Sequence, residues 1–428
     1  MTRINPTNLL RSFSLLALCC LSQTASAATT SPAMVGFPPA ADSQVTFKNY
    51  RQQGKSDWAY NNISAVYNTV MMPRGQGVYP LPSVALLSDE DKANIQRVFE
   101  GNQSDSVIIM KDGKIALESY FGQAGPSRHH IWFSMTKSLT SAAFGILVEQ
   151  GKVSLDASPA DYIPELKGTG FERVTVQNVL NHSTGIDLKE TYTDLNSPFL
   201  KYYAPALNLA YIPGGRDAQP ENTPVYGVYD FIAHYIQPDS KVTPGEVFDY
   251  NSANADVLGW IIARVSGMPL NEFIEQHIWQ KLGTEHDALM AVDRAYMPVA
   301  TGGMVTTLRD MARFGQMIMQ GGTFNGQQVI SKDWISQITQ ISEKQKQKMA
   351  ANPKYQDAGW QAYHNMWWIL DAQNGEFAAT GIHGQTLYIN TRNKVVAAFF
   401  SHHETASNPF SARFKDKLSV VRQIANKI

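Results

Sequence analysis

The spacing of apolar and polar positions changes several times along the chain, and the changes divide it. Residues 107–110 and 115–120 read as strands. They are joined through Lys111-Asp112-Gly113-Lys114, where Asp-Gly favours a two-residue hairpin turn. Just upstream, Asp89, Glu90 and Asp91 after Ser88 make an acidic helix start, with Ile95, Val98 and Phe99 as the apolar stripe. Helical spacing returns with Met135, Leu139, Ala142, Ala143, Ile146 and Leu147, and Gly151 predicts its end. Val257, Leu258, Ile261, Ile262 and Val265 predict a second apolar helix closed by Gly267. Met311, Phe314, Gly315 and Ile318 predict a third over 308–319. Strand patterns then recur at 366–370, 377–380, 386–389 and 395–401, and residues 413–428 read as a closing helix. Between these runs, residues 187–245 carry many Tyr, Pro and Gly with little periodicity and read as loops over a site.

A lone hairpin is only marginally stable, so the strands near both ends are expected to meet in one antiparallel sheet. The expectation is an α+β fold, an antiparallel β-sheet flanked by helices with a second, mainly helical lobe. Residues 46–150 and 295–428 would form the sheet lobe and residues 151–294 the helical, loop-rich lobe, with a site between them.

Charge and composition narrow the function. A net charge of −1 provides no basic field for nucleic acid, so no nucleic-acid partner is expected. Residues 1–27 read as a signal peptide: Arg3 and Arg11 precede an apolar run from 13 to 21, and Ala25-Ser26-Ala27 is a small-residue cleavage site. The run is too short to span a bilayer, so no transmembrane segment is expected after its removal. Cys19 and Cys20 allow a lipoprotein anchor as an alternative, although Leu18 is bulky for that signal. Cleavage would remove two Arg and both cysteines, leaving an exported, periplasmic or secreted chain of charge −3 without thiol chemistry. Residues 28–45, rich in Ala, Thr, Ser and Pro, read as a leader.

Candidate chemistry centres on Ser134 and Lys137. Three residues apart at the start of a helix, their hydroxyl and amine share one face. An amine desolvated by apolar neighbours loses basicity and can help take the serine's proton. By itself this Ser-x-x-Lys pairing also fits a helix cap and a solvated lysine. Further along, Tyr250-x-Ser252 precedes a helix, and Ile382-His383-Gly384-Gln385 lies between two strands.

The ordered set Ser134-x-x-Lys137, Tyr250-x-Ser252 and Ile382-His383-Gly384-Gln385 resembles the motifs of the serine β-lactamase and penicillin-binding protein superfamily. Asn181-His182-Ser183-Thr184-Gly185 and the stretch from Gly302 to Phe314 are similar to its class C-related branch. Trp58-Ala59-Tyr60-Asn61-Asn62 and the Tyr-x-Ser form resemble the 6-aminohexanoate-dimer hydrolase subgroup. The resemblance implies a β-lactamase/transpeptidase-like fold and a Ser134 acyl-enzyme, with Lys137 relaying the proton. It implies Tyr250 as the second proton-transfer group, working as a phenolate beside Lys137, and an oxyanion held by the N–H groups of Ser134 and Gln385. Gly384 would let the strand approach and His383 would bind or orient substrate. Where true β-lactamases carry a Lys in the third motif this alignment puts Ile382, and Ser252 stands where Asn is usual; both changes turn the expectation from β-lactams toward small amides or esters.

Trp132 and the Tyr202-Tyr203 pair are the aromatic residues with a candidate substrate role, and His182 is expected to be structural. His402-His403-Glu404 has no second cluster to complete a ligand set, so no metal and no cofactor is expected. Two rivals remain at this stage: a D-amino-acid peptidase, carboxypeptidase or weak β-lactamase using the same chemistry, and a non-catalytic peptide-binding or sensing protein on the same fold.

Overall fold

The computed structural model describes residues 32–208, 226–355, 358–406 and 411–428. The signal-peptide expectation at 1–27 lies outside these residues.

Seven strands form one antiparallel sheet in the order β3-β2-β13-β12-β11-β10-β9. They are β2 (Ser104–Lys111), β3 (Lys114–Tyr120), β9 (Ala362–His364), β10 (Trp367–Asp371), β11 (Glu376–Gly381), β12 (Gln385–Asn390) and β13 (Val395–Ser401). The hairpin turn between β2 and β3 is Asp112-Gly113, with φ of +49° and +76°, the left-handed pair such a turn requires. The two distant strand groups join where β13 pairs with β2, Ala398 opposite Ile108. Every residue of β13 is buried, which explains its unbroken apolar run: it is an interior strand with helices on both faces. On one face, Gly315 of the Leu308–Met319 helix lies so close that a Cβ there would stand 2.6 Å from Leu387 and 2.8 Å from Val396. On the other, Phe99 of the Asp89–Gly101 helix meets Phe399 edge to face at 5.1 Å. The closing helix, Ala412–Lys427, packs beside that helix.

A second sheet runs β1-β5-β6-β4, from β1 (Thr69–Met72), β4 (His130–Ile131), β5 (Ala288–Ala291) and β6 (Met304–Thr306). Its strands have two to four residues, too short for a period to be read. A small hairpin, β7 (Thr323–Phe324) with β8 (Gln327–Gln328), completes the strands described. Segments Pro159–Tyr162, Val176–Leu180, Val228–Tyr235, Ala253–Ser266 and Leu270–His277 are helical. Gly267 ends the Ala253–Ser266 helix in the left-handed conformation. No helix among the described residues is long and apolar enough to cross a membrane.

Candidate active site

Ser134 sits in the 3-10 turn Phe133–Met135, directly before the Thr136–Glu149 helix. That helix is buried from Thr136 through Leu147, which fixes its first turn in the interior. Lys137 is one turn on, with Nζ donating to Ser134 Oγ at 2.7 Å and to the Thr301 carbonyl at 3.2 Å. Burial draws the Lys137 amine down to about 8, against the opposing pull of the Glu190 and Asp256 carboxylates. Just before the serine, Phe133 has a φ of +48°, costly for an aromatic residue and held by ring contacts to Tyr60 and His383.

Tyr250 enters from the segment ahead of the Ala253–Ser266 helix and lines the same cleft as Ser134, whose hydroxyl slightly eases ionisation of the phenol. Trp368 stacks on its ring at 5.3 Å and 15°, and His182 lies on it at 4.7 Å. His182 Nδ1 accepts the Asn251 N–H at 2.9 Å, and its carbonyl accepts the Asp249 N–H. The imidazole is therefore unprotonated at Nδ1 and serves to hold the tyrosine loop. The phenolate expected of Tyr250 does not fit these surroundings. Burial, then the nearby Glu190 carboxylate, push its pKa up, and Lys137 Nζ lies 5.0 Å from its ring centroid, over the face.

A cleft of about 690 Å3 opens on Ser134. Tyr250, Trp368, Leu195 and Leu200 supply its apolar wall, and Arg51, Glu190, Lys354 and Glu404 its charged positions. Glu190 is anchored there by the Ser252 N–H at 2.6 Å and the Tyr192 hydroxyl. A smaller adjoining cavity of about 60 Å3 reaches Ser252, Tyr203, Thr301 and Gly302.

The strand facing the nucleophile differs from expectation. Gly381 is the close-approach residue: a Cβ on it would lie 2.2 Å from the Trp132 carbonyl and 3.2 Å from Ser134 N. Gly384 instead abuts the His403 ring, and Gln385, on β12, turns its amide onto the backbone of Ser401. Neither lines the cleft, whereas Thr380, Gly381, Ile382 and His383 do. The segment placed for the third motif is thus Thr380-Gly381-Ile382. Ala379 then occupies the Lys position of a Lys-Thr-Gly motif, and the residue that follows the glycine is Ile382, which lines both cavities, rather than Gln385.

Two aromatic assignments also change. Trp132 is fully buried with its indole N–H donating to Thr306 Oγ1 at 2.7 Å, so it is core. Tyr202 stacks on Tyr235 and lines neither cavity, while its neighbour Tyr203 lines the smaller one. His383 lines the cleft as a neutral ring, its pKa pulled down to about 3 by burial and by Arg51. His402 and His403 point to different partners, Asp105 and Lys417. Arg51, Glu190, Tyr192 and Trp368 were not anticipated, since they come from loops and a strand without motif spacing.

The Ser134 hydroxyl is bonded by an amine and shares its cleft with a phenol, a set that defines a serine hydrolase working without a histidine base. The chain belongs to the Beta-lactamase family, whose model matches residues 93–420. It is 27% identical over 362 residues to the 6-aminohexanoate-dimer hydrolase of Paenarthrobacter ureafaciens, covering 84% of this chain and 88% of that one. Among solved structures, a protein described as a 6-aminohexanoate-dimer hydrolase from Bacillus anthracis superposes with a TM-score of 0.76 at 25% identity, over 89% of this chain and 97% of that one. EstCE1, a hydrolase with promiscuous acyltransferase activity, shares the fold at a TM-score of 0.58 and 17% identity, over 78% of this chain and all of that one (100%).

Proposed function

We propose that this protein hydrolyses small linear amides and esters through an acyl-enzyme on Ser134, with ω-amino acyl amides such as 6-aminohexanoate oligomers as the favoured class, and that it acts after export. The observation that carries the reading is the Ser134 hydroxyl accepting from Lys137 Nζ at 2.7 Å in the cleft that Tyr250 also lines. In the neutral form that burial favours, Lys137 takes the serine proton as Oγ attacks the carbonyl. The oxyanion is received by the N–H groups of Ser134 and Ile382. Tyr250, kept a phenol by burial, passes its proton to the leaving amine or alcohol and recovers one from the water that later cleaves the acyl-enzyme.

Substrate class is read from the cleft. Its apolar wall of Leu195, Leu200 and Trp368 suits a methylene chain, and Glu190 attracts a terminal ammonium. The 6-aminohexanoate-dimer hydrolase relative supports the same class. Export rests on the pattern at residues 1–27, and mass analysis of the mature N-terminus tests it. Activity is tested by profiling linear ω-amino amides, short esters, D-peptides and β-lactams with the wild type and Ser134→Ala in parallel. The expected outcome is amide and ester turnover only in the wild type; turnover confined to D-peptides or β-lactams contradicts the proposed substrate class.

A further inference from the structure

Asp256 is an acid in the buried first turn of the Ala253–Ser266 helix, only 1% exposed. A carboxylate so placed is costly unless its oxygens are satisfied, and both are. Oδ1 accepts the Thr301 N–H at 3.1 Å, and Oδ2 pairs with the Tyr203 hydroxyl. The same 300–301 peptide is held at its other end, where the Thr140 hydroxyl donates to the Ala300 carbonyl at 2.9 Å. Thr301 is therefore clamped between two helices, and its own carbonyl accepts from Lys137 Nζ at 3.2 Å. Asp256 lines neither cavity, so it does not touch substrate.

We infer that Asp256 is a positioning residue for Lys137: through Thr301 it fixes where the amine sits on Ser134, and its negative charge stabilises the ammonium formed when Lys137 takes the serine proton. The inference rests on the Ser134–Lys137 reading above. In the step itself the O–H bond of Ser134 breaks, an N–H bond forms on Lys137, and the Oγ electron pair forms the bond to the carbonyl carbon. Nothing is oxidised, and the positive charge appears beside two carboxylates. Of these, Glu190 lies on the open cleft, where water screens it; Asp256 is enclosed. Burial raises the Asp256 carboxyl to about 7, while Tyr203, Lys137 and the Thr301 N–H hold it down and Asp293 pushes it up. Tyr229 also feels its charge, and Lys137 is faced in turn by His182 and Tyr250.

Asp256→Asn tests this, since the amide keeps an acceptor for Thr301 and removes only the charge. For a p-nitrophenyl ester, kcat is expected to fall about tenfold or more with KM held, and the acidic limb of kcat/KM to move down by about one pH unit, because an amine without its anion loses its proton more readily. A limb that stays in place, whether or not kcat falls, overturns the inference, as does a change in KM alone. If Asp256→Asn does not fold, Tyr203→Phe replaces it: with one donor gone the carboxyl holds its proton more tightly, and the limb should move the same way by less. An unmoved limb there also overturns the inference. Ser134→Ala assayed alongside separates the two readings. Its retention of full activity would sink the nucleophile assignment, whereas an inactive Ser134→Ala with an unmoved limb in the Asp256 variant sinks this inference alone.

Discussion

Gly381 and Trp132 stand so close that a single added methyl group on the glycine would lie 2.2 Å from the tryptophan carbonyl. The contact is strand against the turn that carries the nucleophile, and backbone cannot yield as a side chain could. Gly381→Ala is expected to push β11 away from Ser134, misplacing the Ile382 N–H. Losing one oxyanion donor costs about 10²–10³ in kcat. Steady-state ester kinetics check this, and a loss under tenfold counts against the proposed oxyanion site.

Lys137 should limit activity on the acid side. Only the neutral amine can take the serine proton, so kcat/KM should rise with pH through a limb centred near the amine's value of about 8. The same shift has a stability sign. The folded value lies below that of an unfolded lysine, so the unfolded chain binds more protons between the two and stability from this group rises with pH across that window. At neutral pH the buried ammonium is a burden, and Lys137→Met is expected to raise stability by about 1–3 kcal/mol while abolishing turnover. Denaturant melts at pH 7 that show Lys137→Met clearly less stable would contradict this.

For Tyr250→Phe, the ring keeps its stacking on Trp368 and His182, so the melting temperature should hold within a few degrees. The lost hydroxyl removes the leaving-group acid, worth about 10²–10⁴ in rate. An amine needs that proton and p-nitrophenolate does not, so amide hydrolysis should fall much further than ester hydrolysis. Equal losses on both substrates would show that Tyr250 is not the leaving-group acid.

Gln385 divides the expectation drawn from sequence from the structure. Its buried amide bonds the carbonyl and N–H of Ser401 at 2.7 and 3.0 Å. Gln385→Ala should therefore cost about 1–3 kcal/mol of stability and leave kcat near its original value at a temperature where the protein stays folded. A stable variant with a collapsed kcat would reverse that assignment.

What could be read from the sequence follows from how each feature is encoded. The Asp112-Gly113 hairpin, the Gly267 helix end and the pairing of the two strand groups were legible because turn chemistry and apolar period are local signals. Ser134 and Lys137 were legible because their spacing is one helical turn. The third motif reads three residues late in the sequence, since Ile382-His383-Gly384 and Ala379-Thr380-Gly381 both end on a glycine beside a strand; only the approach of Gly381 to Trp132 separates them. Glu190 and Arg51 reach the cleft from segments with no period. Asp256 did leave a trace: it stands one turn after Ser252 in an otherwise apolar helix, where an acid needs a buried partner.

The central claim is a covalent intermediate on Ser134, and rapid-quench intact mass spectrometry with a p-nitrophenyl ester tests it most directly. The account predicts a transient gain of one acyl group, mapped to the peptide containing Ser134 and missing from Ser134→Ala, with an initial burst of p-nitrophenolate matching the enzyme concentration. Undiminished turnover by Ser134→Ala, or an acyl group mapped to any other residue in the wild type, would contradict it.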